Sequence, residues 1–306
     1  MKKVLLILMC CMAIQSVHAQ DTPKWADKAK KAVFSIVTYD KENKIKNTGN
    51  GFYIDNNGTA LSDYSLFEDA ERAVIINADG KELPVTRIAG ANSMYDVIKF
   101  RTETEKKITA LKVATQPAAV GETVYLLPYS TQKAATCQTG KVTQVDTIAD
   151  KAYYYTLTMT TSDKTVSCPI MNANGEVLGL IQKSASEEDK ESYAIGASYG
   201  ESLSISPLSA NDINLNKIGI AKALPETEDQ ALVYLYMSSS QMDAKNYLAT
   251  LNDFLQAYPN STEGYTRRAG YYMNIGDDEH NALAEADLKK AMDVSGNKTE
   301  GQYNVA

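Results

Sequence analysis

The hydrophobic period of this chain changes at Pro207, and no single architecture accommodates both halves. Before it, apolar residues come in short β-branched and aromatic runs divided by turn signals. Such runs occupy residues 32–39, 52–54, 73–76, 83–85, 124–127, 141–145, 153–161 and 176–181. Asp55-Asn56-Asn57-Gly58 and Asp79-Gly80 are turns of the kind that join strands. Many short strands at this spacing predict an all-β sandwich or barrel. No regular alternation with longer helical patterns separates them, which argues against a parallel α/β sheet.

After Pro207, residues 211–224 read as a connector, closed by Pro225 and the acidic Glu226-Thr227-Glu228-Asp229. Helical spacing follows. Leu232, Leu235 and Tyr236 form one stripe, and Tyr247, Leu248, Leu251, Phe254 and Leu255 the next. Pro259-Asn260 interrupts. Tyr265, Ala269, Tyr272 and Ile275 run to Gly276-Asp277, and Ala284, Leu288, Ala291 and Met292 complete the set. Thr262-Glu263-Gly264 recurs as Thr299-Glu300-Gly301, 37 residues later. Paired helices at that period resemble tetratricopeptide repeats, whose usual length is about 34 residues. Thr266 and Gly270 stand near positions that some such repeats fill with basic residues, so the resemblance predicts no particular ligand. Residues 302–306 read as the opening of a further first helix, so the last repeat is expected to be incomplete or to fray.

The first residues carry a different signature. Met1-Lys2-Lys3 is a positive start, residues 4–14 are an apolar run, and Ser16-Val17-His18-Ala19 ends on a small residue. This pattern predicts a secretory signal peptide cleaved after Ala19. The run is too short to span a bilayer, which takes about 20 residues. A lipoprotein reading through Cys10 or Cys11 lacks the small residue expected before the cysteine. The mature protein is therefore expected outside the cytoplasm, periplasmic or secreted, with no membrane span.

Charge and composition exclude several chemistries. Lys and Arg number 31 against 38 Asp and Glu, a net charge of −7, whereas a general nucleic-acid binder needs a cationic surface. There are two histidines and four cysteines, and cleavage after Ala19 leaves His280, Cys137 and Cys168. That removes the usual zinc sets and most histidine-based proton transfer. No glycine-rich phosphate loop or paired-cysteine motif occurs, so no cofactor or metal is expected. The charged run Glu187-Glu188-Asp189-Lys190-Glu191 reads as a solvated loop, without the spacing of a calcium loop. Tyr153-Tyr154-Tyr155 alternates along a strand, which fits cross-strand packing. A disulfide between Cys137 and Cys168 stays open, since spacing alone does not set their distance.

Two strings in the β half, residues 49–67 and 164–179, carry a second resemblance, with shorter matches between them. Residues 49–67 run Gly49-Asn50-Gly51-Phe52-Tyr53-Ile54 through a turn to Leu61-Ser62-Asp63-Tyr64-Ser65-Leu66. Residues 79–84 and 90–98 follow, the latter containing Tyr95-Asp96-Val97. Then come Val120-Gly121-Glu122 and Lys164-Thr165-Val166-Ser167-Cys168-Pro169, with Gly175-Glu176-Val177-Leu178-Gly179 after it. In order and spacing, residues 30–205 resemble trypsin-like serine proteases of the HtrA type. The resemblance implies a double β-barrel. It also implies a degenerate triad: Ser65 where the family places histidine, Val166 where it places the nucleophilic serine, and Asp96 retained. Lys164 stands where a glycine shapes the family's oxyanion hole.

A serine nucleophile needs an adjacent base near neutral pH, and neither Ser65 nor Val166 can supply its half of that pair. Removing triad members costs on the order of 10⁴–10⁶ in rate. Asp96 is then expected to be a structural acceptor, with no catalytic residue. The alternative is a serine- or cysteine-type endopeptidase with a non-standard site, built on Ser167 with Lys164 or on Cys168.

The expected organisation is a signal peptide (1–19), a trypsin-like double β-barrel (20–210), a linker (211–225) and tetratricopeptide-like helices (226–306). The expected function is an exported, catalytically inactive scaffold that binds a protein or peptide partner.

Overall fold

The computed structural model describes residues 22–103, 107–149, 152–182 and 191–295. The predicted signal peptide, residues 187–190 of the charged run, and Thr299-Glu300-Gly301 with the final residues lie outside that set.

Twelve strands close into two six-stranded antiparallel barrels. The first is built from β1 (Val33–Tyr39), β2 (Ile45–Tyr53), β3 (Thr59–Ser62), β4 (Arg72–Ile76), β5 (Glu82–Asn92) and β6 (Val97–Thr102), in the order β1-β2-β3-β6-β5-β4. The second comprises β7 (Thr123–Leu126), β8 (Gln138–Ala149), β9 (Ala152–Leu157), β10 (Pro169–Met171), β11 (Val177–Ile181) and β12 (Ser192–Gly196). Its order is β10-β11-β12-β9-β8-β7. Closure leaves no sheet edge to aggregate.

Alternation decides which side chains fill each barrel. Phe34 and Ile36 of β1 face inward, to meet Tyr53, Phe67, Ile75, Ile88, Ile98 and Phe100. Burying each large apolar side chain stabilises by about 1.5–3 kcal/mol. Leu126, Val142, Leu157, Ile170, Leu180 and Ile195 fill the second barrel. Its apolar cluster continues into Val33, Phe52, Leu61 and Val97 of the first, so the two barrels pack against each other through a shared apolar core. Within the second barrel, Gly179 lets β11 lie close against β12: a Cβ there would sit 2.4 Å from the Ile195 carbonyl oxygen.

Seven helices accompany the barrels among the described residues. The short α1 (Ala26–Ala29) precedes β1, α2 (Ala197–Ser202) follows β12, and α3 (Ile213–Asn216) lies in the connector. Then come α4 (Glu228–Ser238), α5 (Ala244–Ala257), α6 (Thr262–Ile275) and α7 (Asp278–Val294). Each of the last four starts at a side-chain cap: Thr227, Asp243, Ser261 and Asp277 accept from backbone N–H groups in the first turn. Gly276, at φ 78°, turns α6 into α7. The apolar stripes fall on these helices, but not every member is buried: in α4 Ala231, Tyr234 and Leu235 are buried whereas Tyr236 is 68% exposed, and Ile275 of α6 and Met292 of α7 are exposed too.

The connector is strapped to the first barrel. Ile88 N–H donates to the Ala221 carbonyl (2.8 Å) and Ala223 N–H to that of Ile88 (2.7 Å). Tyr234 of α4 joins the first barrel's apolar cluster. Arg87 of β5 donates through Nε to Asp253 of α5 at 2.9 Å. Within the helices, Arg268 holds the buried Asp287 by two bonds of 2.7 Å and also reaches Asn252. No helix among the described residues is long and apolar enough to cross a membrane.

Candidate functional site at the barrel seam

β3 ends at Ser62, and the chain turns through Asp63 into a 3₁₀ turn, Tyr64–Leu66. This brings Ser65 to the surface beside the tight turn between β5 and β6. Asp96 sits in that turn at φ 48°, a conformation that acidic residues tolerate. Its carboxylate accepts the Ser65 N–H at 2.7 Å and the Ser65 hydroxyl at 3.0 Å. The structure thus unites Ser65 and Asp96, and gives Asp96 acceptor duty toward both.

Residues 162–168 cross the seam from the second barrel. The loop is wound on itself: Thr165 N–H and Val166 N–H both donate to the Ser162 carbonyl, at 2.8 and 3.2 Å, and Cys168 N–H to that of Thr165. Asn50 of β2 clamps it from the first barrel, its side-chain amide donating to the carbonyls of Lys164 (3.1 Å) and Val166 (2.9 Å). Ser62 anchors this clamp by donating to the Asn50 carbonyl at 2.6 Å. Lys164 is exposed and Val166 half-buried.

Ser167 and Cys168 point the other way. Both are 0% exposed. Ser167 takes φ 64°, where glycine would be unstrained. Its hydroxyl has no partner of hydrogen-bond geometry, and neither has Oδ1 of Asp63, itself 2% exposed. The two side chains are nonetheless close enough for the hydroxyl to act on the carboxyl. Burial, reinforced by the Asp96 charge, holds the Asp63 carboxyl well above the usual carboxylate range, and the Ser167 hydroxyl offsets little of this. Burial likewise pushes the Cys168 thiol up to about 12 and the Cys137 thiol to about 11.

The disulfide left open in the sequence is not made: Cys137 and Cys168 are free thiols. Cys168 is enclosed below the loop, whereas Cys137 is half-buried just before β8. His280 belongs to neither loop. It lies in the first turn of α7, where its N–H donates to the capping Asp277 and its Nδ1 is 2.7 Å from Asp277 Oδ1. Among the described residues no group of three or more His, Cys, Asp or Glu is placed to hold a metal ion.

Residues 49–180 match the family model of the trypsin-like peptidase domain. The two six-stranded barrels fit a trypsin-like fold, and the matched segment runs from β2 to β11, spanning Ser65, Asp96 and the loop 162–168. No curated protein matches the chain.

Asn50, Ser62 and Asp63 were within the strings that carried the trypsin-like resemblance, yet nothing local marked them. Asn50 contacts a loop more than a hundred residues away. The one available signal was Asp63 itself, an acid directly after a buried strand with no basic residue near it in sequence.

Proposed function

We propose that this chain is an exported trypsin-like protein that no longer cleaves peptide bonds and instead serves as a scaffold for a protein or peptide partner. One observation carries the reading: the groups an acyl-transfer site must hold free are committed to the protein itself. Ser65 spends its hydroxyl on Asp96 and offers no base. Val166 has no hydroxyl, and its N–H is given to Ser162, whereas an oxyanion hole needs such donors aimed into the cleft. The competing peptidase would use Ser167 or Cys168, and both are sealed from substrate. The binding role rests on what remains: a closed double barrel joined to four capped helices. Paired helices of the tetratricopeptide kind offer a concave surface for a partner.

The test is turnover of a fluorogenic protein substrate, with fluorophosphonate labelling, by the mature chain. Neither signal should exceed a buffer control. The double substitution Ser65→His with Val166→Ser should also stay inactive, because it restores two side chains without freeing the Val166 N–H. Wild-type turnover that disappears in Ser167→Ala or Cys168→Ala would establish the peptidase instead. Capture of a specific envelope protein by the mature chain would support the scaffold.

A further inference from the structure

Two buried polar atoms, Asp63 Oδ1 and Ser167 Oγ, lie at the seam without a directed hydrogen bond, and the Ser167 hydroxyl is close enough to act on the Asp63 carboxyl. Each such group costs about 1–3 kcal/mol. They sit where β3 and the loop 162–168 touch, one residue from Ser62, which anchors the Asn50 clamp. We propose that Asp63 and Ser167 form a proton-held latch between the barrels, and that the loop 162–168 is the element it releases.

The groups facing Asp63 decide the direction. From the first barrel comes Asp96, on the β5–β6 turn; from the second come the Ser167 hydroxyl and the Cys168 thiol. Asp96 is the one charge that acts on it among the described residues, and it is of the same sign. A neutral carboxyl can remain in this seam. An ionised one would lie in a site closed to water and be repelled by the Asp96 charge, and that cost is relieved when the loop lifts and lets water in. The loop is built for such a step: Asn50 holds it by two bonds, and Ser167 is strained at φ 64°. Lifting it would also reshape the adjoining cleft of about 290 Å³, bordered by Ser35, Thr48, Asn50, Tyr129, Asp163 and Lys164. The latch therefore ties access to that cleft to pH.

The sign follows from linkage. The closed state binds the Asp63 proton more tightly than the open state, so closure is complete below the ordinary carboxylate range. It weakens as pH rises from there toward the raised value of the closed state. Across that window the open fraction grows about tenfold per pH unit, then levels off.

Cys168, under the loop, is a built-in reporter. Its labelling rate by a small thiol reagent is followed by peptide mapping at a series of pH values and divided by that of the urea-unfolded chain. The ratio should climb about tenfold per unit through the window in the wild type and stay flat in Asp63→Asn. A flat wild-type ratio, or equal slopes in both proteins, overturns the latch. Amide exchange of the wild type supplies a second reading that needs no variant. Corrected for intrinsic rate, Ser167 and Cys168 should lose protection with rising pH while Ile36 in β1 does not. Uniform loss, or none, overturns the proposal as well.

Discussion

At the same seam, two carboxyl groups meet opposite fates. Asp96 lies in a half-exposed turn, and Ser65 gives it both an N–H and a hydroxyl. Asp63 is enclosed, its Oδ1 has no directed partner, and the nearest charge repels it. The first arrangement is settled within one barrel by residues 31 apart in sequence. The second forms only when the two barrels close on each other. The contrast teaches where this fold holds its tension: in the contact between β3 and the loop 162–168, rather than at the surface pair of Ser65 and Asp96.

The largest effect should come from cutting the clamp. Asn50→Ala removes both amide bonds to the loop and leaves the Lys164 and Val166 carbonyls without those donors. A loss of about 2–3 kcal/mol is expected in urea unfolding, read as a lower midpoint at unchanged slope. A change below about 0.5 kcal/mol would mean that the loop is held from its own side alone. Asp63→Asn should act in the opposite sense, stabilising the protein by about 1–2 kcal/mol at pH 7. Because Asp63 is raised in the folded state, its own contribution to stability is fully present below the unfolded carboxylate value. It falls by up to about 1.4 kcal/mol per pH unit as pH rises toward the folded one. The advantage of Asp63→Asn should therefore shrink as pH falls through 5 and vanish near 4. An advantage that grows toward acid pH would reverse the assignment. Ser167→Gly should add about 1 kcal/mol by relieving the positive φ and removing an unpaired hydroxyl, seen as a raised Tm.

The sequence announced the strands because alternation and turn residues are local, and left sandwich or barrel open until the trypsin-like resemblance implied the barrels. Residues 73–76 and 177–181 fall on β4 and β11 as their patterns indicated. The strings that resembled trypsin-like proteases gave the order of the pieces and brought Ser65 to Asp96. The Asp63–Ser167 contact left no trace, since burial there depends on how two closed barrels dock. The connector's attachment to the first barrel hid for a related reason: three residues pairing with Ile88 have no period to detect. In α4 the stripe was displaced because Tyr234, rather than Tyr236, is taken into the first barrel's core.

The smallest effect belongs to the pair that first drew attention. Ser65→Ala deletes one bond to Asp96, the 3.0 Å contact from the hydroxyl, but keeps the 2.7 Å contact from the backbone N–H. The site is open to water, so the freed carboxylate oxygen is resolvated rather than stranded. A loss of no more than about 0.5 kcal/mol is expected, measured by urea unfolding beside Asn50→Ala. A loss as large as that of Asn50→Ala would erase the contrast between the two carboxyls. It would mean that the surface pair, too, helps hold the barrels together. A small loss keeps the tension in the seam, where the second barrel's loop meets Asp63.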